Sequence, residues 1–184
     1  SLFGTGLAYQ ENYITNVMAD SKNTIAQSVS DYFVFPTLRL NASKEYSRGK
    51  AISKMKDFIA FIKGNRYVAV MGGSSSGKTT LLKMTFKELQ TQYVVLYCGT
   101  DDITGRSQEN ILKELVTDTY GADSYSLFQA IPSEKKVIII DDLHRISSKH
   151  LNKFLRGIED IFGTIVVASE ETSQFDIVQM VKDN

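Results

Sequence analysis

The sequence predicts an α/β fold in three layers, with helices on both sides of a mostly parallel sheet and an N-terminal helical arm in front. Three observations predict it. Four short runs, VAVM, VVLY, VIII and IVVA, are apolar at every position, and strands that do not alternate are buried on both faces. Segments with apolar residues at helical spacing lie between them, and such alternation of strand and helix marks a parallel sheet covered by helices. Right-handed crossovers then bring all strand C-termini to one edge, where ligands bind.

Each element has its own warrant. Residues 1–8 are aperiodic and are expected to be loose. From Tyr9 to Ser30 an apolar stripe at Tyr13, Val17, Ser21, Ile25 and Val29 predicts a helix, the arm. Asp31–Leu40 is aromatic and β-branched, and Pro36 excludes a central strand, so an extended connector is expected. A helix over Ser43–Lys63 is expected to bury Ile52, Met55, Ile59 and Ile62 and to stop at Gly64. Then follow a strand Tyr67–Met71, a helix Lys78–Gln90, a strand Tyr93–Tyr97, a helix from Ser107 burying Ile111, Leu112, Leu115 and Val116, and a short helix Tyr125–Ala130. A strand Val137–Ile140, a helix Ser148–Asp160 and a strand Thr164–Ala168 complete the alternation. A last helix is expected behind Ser173, an N-cap with Asp176 three residues on. This reading divides the chain into an arm and connector, 1–42, and a core, 43–184.

Composition narrows the function. Lys+Arg and Asp+Glu each number 21. A zero net charge supplies no electrostatic case for nucleic acid as a partner. The single cysteine, Cys98, lies in an apolar run and is expected to be a buried strand residue. No apolar stretch is long enough to span a membrane, and no signal peptide is evident, so a cytoplasmic location is expected. The chain opens with Ser and stops within an amphipathic stretch, which reads as a piece of something longer.

The loop Gly72-Gly73-Ser74-Ser75-Ser76-Gly77-Lys78-Thr79 matches G-x-x-x-x-G-K-[ST] in full. A triphosphate needs many donors at close range. Glycines let the backbone turn tightly and approach the phosphates, and the following helix N-terminus favours negative charge. Residues 72–79, with Thr80, are therefore the expected nucleotide-binding set. The Lys78 ammonium is expected at the β- and γ-phosphates, and the Thr79 hydroxyl on Mg²⁺. A Gly/Ser-rich surface loop is the bland alternative; a buried strand before the motif and a helix after it argue against that. The run Val137–Ile140 ends in Asp141-Asp142. At a strand end on the ligand edge, Asp141 can hold Mg²⁺ through water, and Asp142 can orient or deprotonate the attacking water. Ser169, ending the fourth strand, is the candidate to touch the γ-phosphate; a strand-end cap is its bland reading. The expected catalytic set is thus Lys78, Asp142 and Ser169, and the metal set Thr79 and Asp141.

These motifs identify the fold as that of a P-loop NTPase. GGSSSGKTTLL followed by VIIIDDLHRI resembles the additional-strand division, and within it the STAND class (NACHT and NB-ARC-like) beside AAA+ ATPases. The connector YFVFPTL is similar to the segment that in such proteins covers the adenine. The resemblance spans residues 31–184. It implies that the fourth strand separates the acidic strand from the phosphate-loop strand. It also implies ATP/ADP with Mg²⁺, self-association through the full-length protein, and an effector domain outside this fragment. The chain departs from the pattern in two respects. Glu170 and Glu171 stand where many STAND members carry Arg, and the sequence stops before a lid. Catalysis by this piece alone is therefore expected to be slow at most. An arginine from a neighbour is expected to assist, with Arg145 and Arg156 as candidates beside their bland reading as surface charges. The other function classes considered are an AAA+-like DNA-associated motor or loader, a small-molecule P-loop kinase, and a domain that binds without turnover. Arg106 is the only arginine over residues 99–135, which argues against a kinase lid. No Asn/Thr-Lys-x-Asp segment for guanine occurs late in the chain.

Overall fold

In the computed structural model, described residues are 7–9, 13–18, 33–40, 51–103 and 106–170. Helix α1 (Tyr13–Met18) is the first element among the described residues. Two-residue strands β1 (Leu38–Arg39) and β2 (Ala51–Ile52) pair antiparallel, Leu38 opposite Ile52. Then follow α2 (Met55–Lys63), β3 (Tyr67–Met71), α3 (Lys78–Leu89), β4 (Val94–Cys98), α4 (Thr100–Ile103), α5 (Gln108–Tyr120) and α6 (Tyr125–Ala130). After them come β5 (Lys136–Ile140), α7 (Ser148–Ile158) and β6 (Thr164–Ser169), with single 3₁₀ turns at Ser133–Lys135 and Leu143–Arg145.

Among the described residues the main sheet has four strands in the order β3-β6-β5-β4, and every pairing is parallel. Its strand residues divide between two cores. Val94, Leu96, Cys98, Ile138, Ile140, Ile165 and Val167 pack with the apolar faces of α5, α6 and α7. Val95, Val137, Ile139, Val166 and Ala168 pack with Phe58, Ile62, Leu82 and Phe86 of α2 and α3. Neighbouring residues of one strand thus enter opposite cores, the physical content of a three-layer α/β/α fold. Burial of this kind is worth about 25 cal/mol per Å² of apolar surface, so β5, buried at all five positions, anchors the sheet.

Local chemistry sets several boundaries. Ser107 caps α5 by accepting the Asn110 N–H at 3.3 Å. Gly64 ends α2 in a right-handed rather than left-handed conformation. Gly163 precedes β6 where only a bare Cα fits: an added Cβ would lie 2.7 Å from Glu134 Cα, and the Gly163 N–H donates to Ser133 O at 2.7 Å.

Four expectations need correction. Strand β3 is not buried on both faces: Ala69 is exposed and Met71 is 40% exposed, because β3 is the sheet's edge and the α5–α7 layer does not extend over it among the described residues. The helix expected from Ser43 begins at Met55. Ile52, whose spacing to Met55 suits a helix, instead buries its side chain from β2; residues 41–50 lie outside the described set. Leu7, expected to be loose, is buried in the core beside α5. The one-turn α4 was not foreseen, since four residues carry no periodicity; the Asp102 carboxylate holds it by accepting the Gly99 N–H at 2.7 Å. Tyr9 lies outside any helix, most of the arm (19–32) lies outside the described residues, and so does the helix expected behind Ser173.

Candidate functional site

The loop 72–77 joins the C-terminal end of β3 to the N-terminus of α3. Its entry is tied to the sheet: the Gly72 N–H donates to Ser169 O at 3.3 Å, extending the β3–β6 ladder by one bond. Within it Ser75 (φ 58°) and Gly77 (φ 84°) are left-handed. Such residues inside a turn converge successive N–H groups on one concave side, an arrangement that attracts anions. Gly77 is also the N-cap of α3, with no side-chain cap and no acid in the first turn. The first intrahelical bond is Leu81 N–H to Gly77 O at 2.9 Å, so the N–H groups of Lys78, Thr79 and Thr80 have no helical acceptor. The helix dipole adds partial positive charge at the same place.

Lys78 is buried and its ammonium curls back over the loop. It donates to Gly72 O at 2.9 Å and Gly73 O at 2.8 Å, with Ser76 Oγ at 3.5 Å. All three partners are neutral oxygens, and none is a carboxylate among the described residues. A cation held by neutral dipoles beside uncapped amides fits a polyphosphate, which would bring the compensating charge. Ser74, Ser75, Ser76 and Thr79 are exposed, and Thr80 is half-buried.

Strand β5 delivers Asp141 to the same end of the sheet. Asp141 is 6% exposed. Its N–H donates to Cys98 O at 3.0 Å, its Oδ1 accepts the Asp142 N–H at 2.9 Å, and its Oδ2 accepts the Tyr97 hydroxyl at 2.9 Å. Burial and the neighbouring Asp141 charge push the Tyr97 phenol far above its ordinary range, which keeps it a donor. A carboxylate offers about four lone-pair directions, so Asp141 retains capacity for a metal-bound water. Mg²⁺ needs only one or two protein carboxylates when phosphates complete its shell, and the donor set Thr79 hydroxyl plus Asp141 carboxylate fits that ion. Asp142 stands in a left-handed conformation (φ 52°), with its carboxylate 3.9 Å from Arg145 Nη1. Both side chains reach solvent. Ser169 is fully buried and pairs in register with Met71, so it sits beside the loop entry. Arg156 is exposed on α7. His144 Nε2 lies 3.6 Å from Glu170 Oε1, and Glu171 lies outside the described residues. Cys98 is buried, which raises its thiol well above the usual range.

The sheet order brings the phosphate-loop strand and the acidic strand to either side of β6, so Ser169 ends the strand between them. Tyr97 was missed by sequence reasoning. Its signal is one hydroxyl in an otherwise apolar strand, VVLYC, on the strand beside the acidic one.

Comparison with known proteins adds a family. The chain is similar to a structure of C. elegans PCH-2, at TM-score 0.47 and 14% identity over 68% of this chain and 40% of that one. It is also similar to the Thermotoga maritima RuvB Holliday junction branch migration motor, at TM-score 0.36 and 19% identity over 62% of this chain and 37% of that one. The chain thus spans well under half the length of either. No curated protein matches. Residues 64–182 match the family described as AAA domain, a stretch that takes in the loop 72–79, Asp141, Asp142, Ser169 and every strand of the main sheet. With a motif of this kind, in this strand order, matched over more than half its length, the chain belongs to the AAA domain family of P-loop ATPases.

Proposed function

We propose that the chain is the ATP- and Mg²⁺-binding nucleotide-switch module of a larger signalling or defence ATPase, hydrolysing ATP slowly at most by itself. The observation that carries the nucleotide reading is the β3–α3 junction, where uncapped amides and the Lys78 ammonium share one loop, with no carboxylate in contact among the described residues. The switch reading rests on the resemblance of GGSSSGKTTLL and VIIIDDLHRI to STAND sequences.

In this reading the loop 72–77 with Lys78, Thr79 and Thr80 cradles the phosphates, and Lys78 leaves the Gly72 and Gly73 carbonyls for the β- and γ-phosphates. Thr79 and Asp141 hold the metal. Mg²⁺ bound there would neutralise charge on the β- and γ-phosphate oxygens. Asp142 orients or deprotonates water, and Ser169 faces the γ-phosphate. Residues 1–42 serve as arm and connector to an effector outside this chain, and residues 43–184 as the nucleotide core. The YFVFPTL segment covers the adenine. Self-association brings in an arginine, a group worth ~10³–10⁵ in rate. A cytoplasmic location belongs to the same reading; no described helix is long and apolar enough to cross a membrane.

Calorimetric titration with ATP, ADP and GTP, with and without Mg²⁺, tests it. Adenine-selective binding strengthened by Mg²⁺, with slow turnover or none, is the expected result. Absence of binding by the wild type would overturn the reading.

A further inference from the structure

We propose that Tyr97 is a positioning residue that fixes the Mg²⁺-holding carboxylate of Asp141; the inference rests on the nucleotide reading above. Asp141 is held at three points. Its N–H is bonded to Cys98 O, its Oδ1 is held by the Asp142 N–H, and its Oδ2 is held by the Tyr97 hydroxyl at 2.9 Å. The first two are backbone groups at the end of β4 and at the next residue of the chain, and any sequence would supply them. The third is a side chain that only tyrosine provides from this place.

Tyr97 is itself held on two sides. Its ring meets Phe86 of α3 edge-on, with centroids 6.3 Å apart. Its carbonyl accepts the Tyr13 hydroxyl at 3.4 Å. The hydroxyl therefore reaches Asp141 from a fixed ring, and the ring rests on the helix that begins with Lys78. Without it, Oδ2 would sit in a nearly buried place with no donor, and the carboxylate plane would be free to turn. Outer-shell donors that orient ligating carboxylates typically change metal affinity by ~10–100-fold.

The test is calorimetric titration of the whole chain with ATP over a series of Mg²⁺ concentrations and in EDTA. Tyr97→Phe keeps the ring and its packing on Phe86. It is expected to raise the half-saturating Mg²⁺ concentration roughly 10-fold or more, with ATP affinity in EDTA unchanged. Tyr120→Phe removes another buried hydroxyl, one that donates to Val95 O of the same sheet at 3.0 Å. It is expected to lower the Tm and leave the Mg²⁺ dependence alone. In an Asp141→Ala background, Tyr97→Phe should add no further loss of Mg²⁺ dependence. A merely structural hydroxyl predicts a lowered Tm with unchanged half-saturating Mg²⁺ in Tyr97→Phe, and that result overturns the proposal. Equal losses with and without metal, or an equal effect from Tyr120→Phe, overturn it too. A wild type that binds ATP with no Mg²⁺ dependence removes the parent metal reading and this one with it. That failure appears before any variant is made, so the two remain distinguishable.

Discussion

Lys78 carries the most decisive test at the scale of single residues. Among the described residues its ammonium is met by neutral oxygens of its own loop and by no carboxylate, so its removal withdraws a charge that none of them pairs. Lys78→Ala is expected to abolish nucleotide binding in calorimetry while the circular dichroism spectrum stays native; unchanged ATP affinity would sink the phosphate-loop reading. Asp141→Ala is expected to weaken binding in Mg²⁺ more than binding in EDTA, and equal losses would argue against a metal role. Gly77 tests the backbone. At φ 84° a side chain is strained by ~1–2 kcal/mol. Gly77→Ala should therefore lower the unfolding free energy measured in urea by that amount, even though an added Cβ would meet nothing within 4 Å.

Among elements, β4 poses a problem that the chain solves with tyrosines. Among the described residues it is an edge strand of the main sheet, and an edge leaves one row of N–H and C=O groups without a strand partner. Here the Val95 N–H donates to the Tyr9 hydroxyl at 3.3 Å. The hydroxyls of Tyr9, Tyr120 and Tyr13 reach Tyr93 O, Val95 O and Tyr97 O at 3.5, 3.0 and 3.4 Å. Tyr9 and Tyr13 come from the N-terminal segment and stack at 6.4 Å; both also meet Phe86 edge-on. The segment thus covers an edge that would otherwise invite another strand. Tyr9→Phe leaves the Val95 N–H without that acceptor and is expected to cost ~1–3 kcal/mol in denaturant unfolding. Burial, partly offset by hydrogen bonding to Tyr120, raises the Tyr9 phenol to about 12 from 10.0. The folded state then holds its proton more tightly than the unfolded chain. Its contribution is fully present below pH 10 and is lost as pH rises from 10 through 12. Stability measured against pH is expected to fall across that window, and a smaller fall is expected for Tyr9→Phe.

For the whole molecule, the placing of β6 between β3 and β5 matters most. It puts the loop after one strand and Asp141 after another across a single intervening strand, all at one end of a rigid parallel sheet. Nucleotide bound there touches the native state only. At about 100 times its Kd it should stabilise by ~2.7 kcal/mol, which for a chain of this size is a Tm increase of roughly 5–10 °C. Differential scanning calorimetry with ATP and Mg²⁺ checks this. A Tm that ignores nucleotide in the wild type would contradict the proposed site.

The sequence by itself determined the elements whose signals are local. The phosphate loop between strand and helix was legible because its glycines and lysine have to stand at fixed spacing. Strands β4, β5 and β6 were legible because burial on both faces demands unbroken apolar runs. Helices α3, α5 and α7 could be read from the repeat of their buried residues. The strand order was available only through family resemblance, since no local spacing distinguishes β6 beside β3 from β5 beside β3. Tertiary structure alone decided the rest. The exposure of Met71, the pairing of β1 with β2 and the burial of Leu7 depend on which layer reaches which edge. The hydroxyl of Tyr97 meets Asp141 because two strands 44 positions apart lie in register, and the edge of β4 is closed by tyrosines from far along the chain. Hydrogen bonds between distant positions leave no periodic trace in a sequence, because their geometry exists only once the sheet has formed.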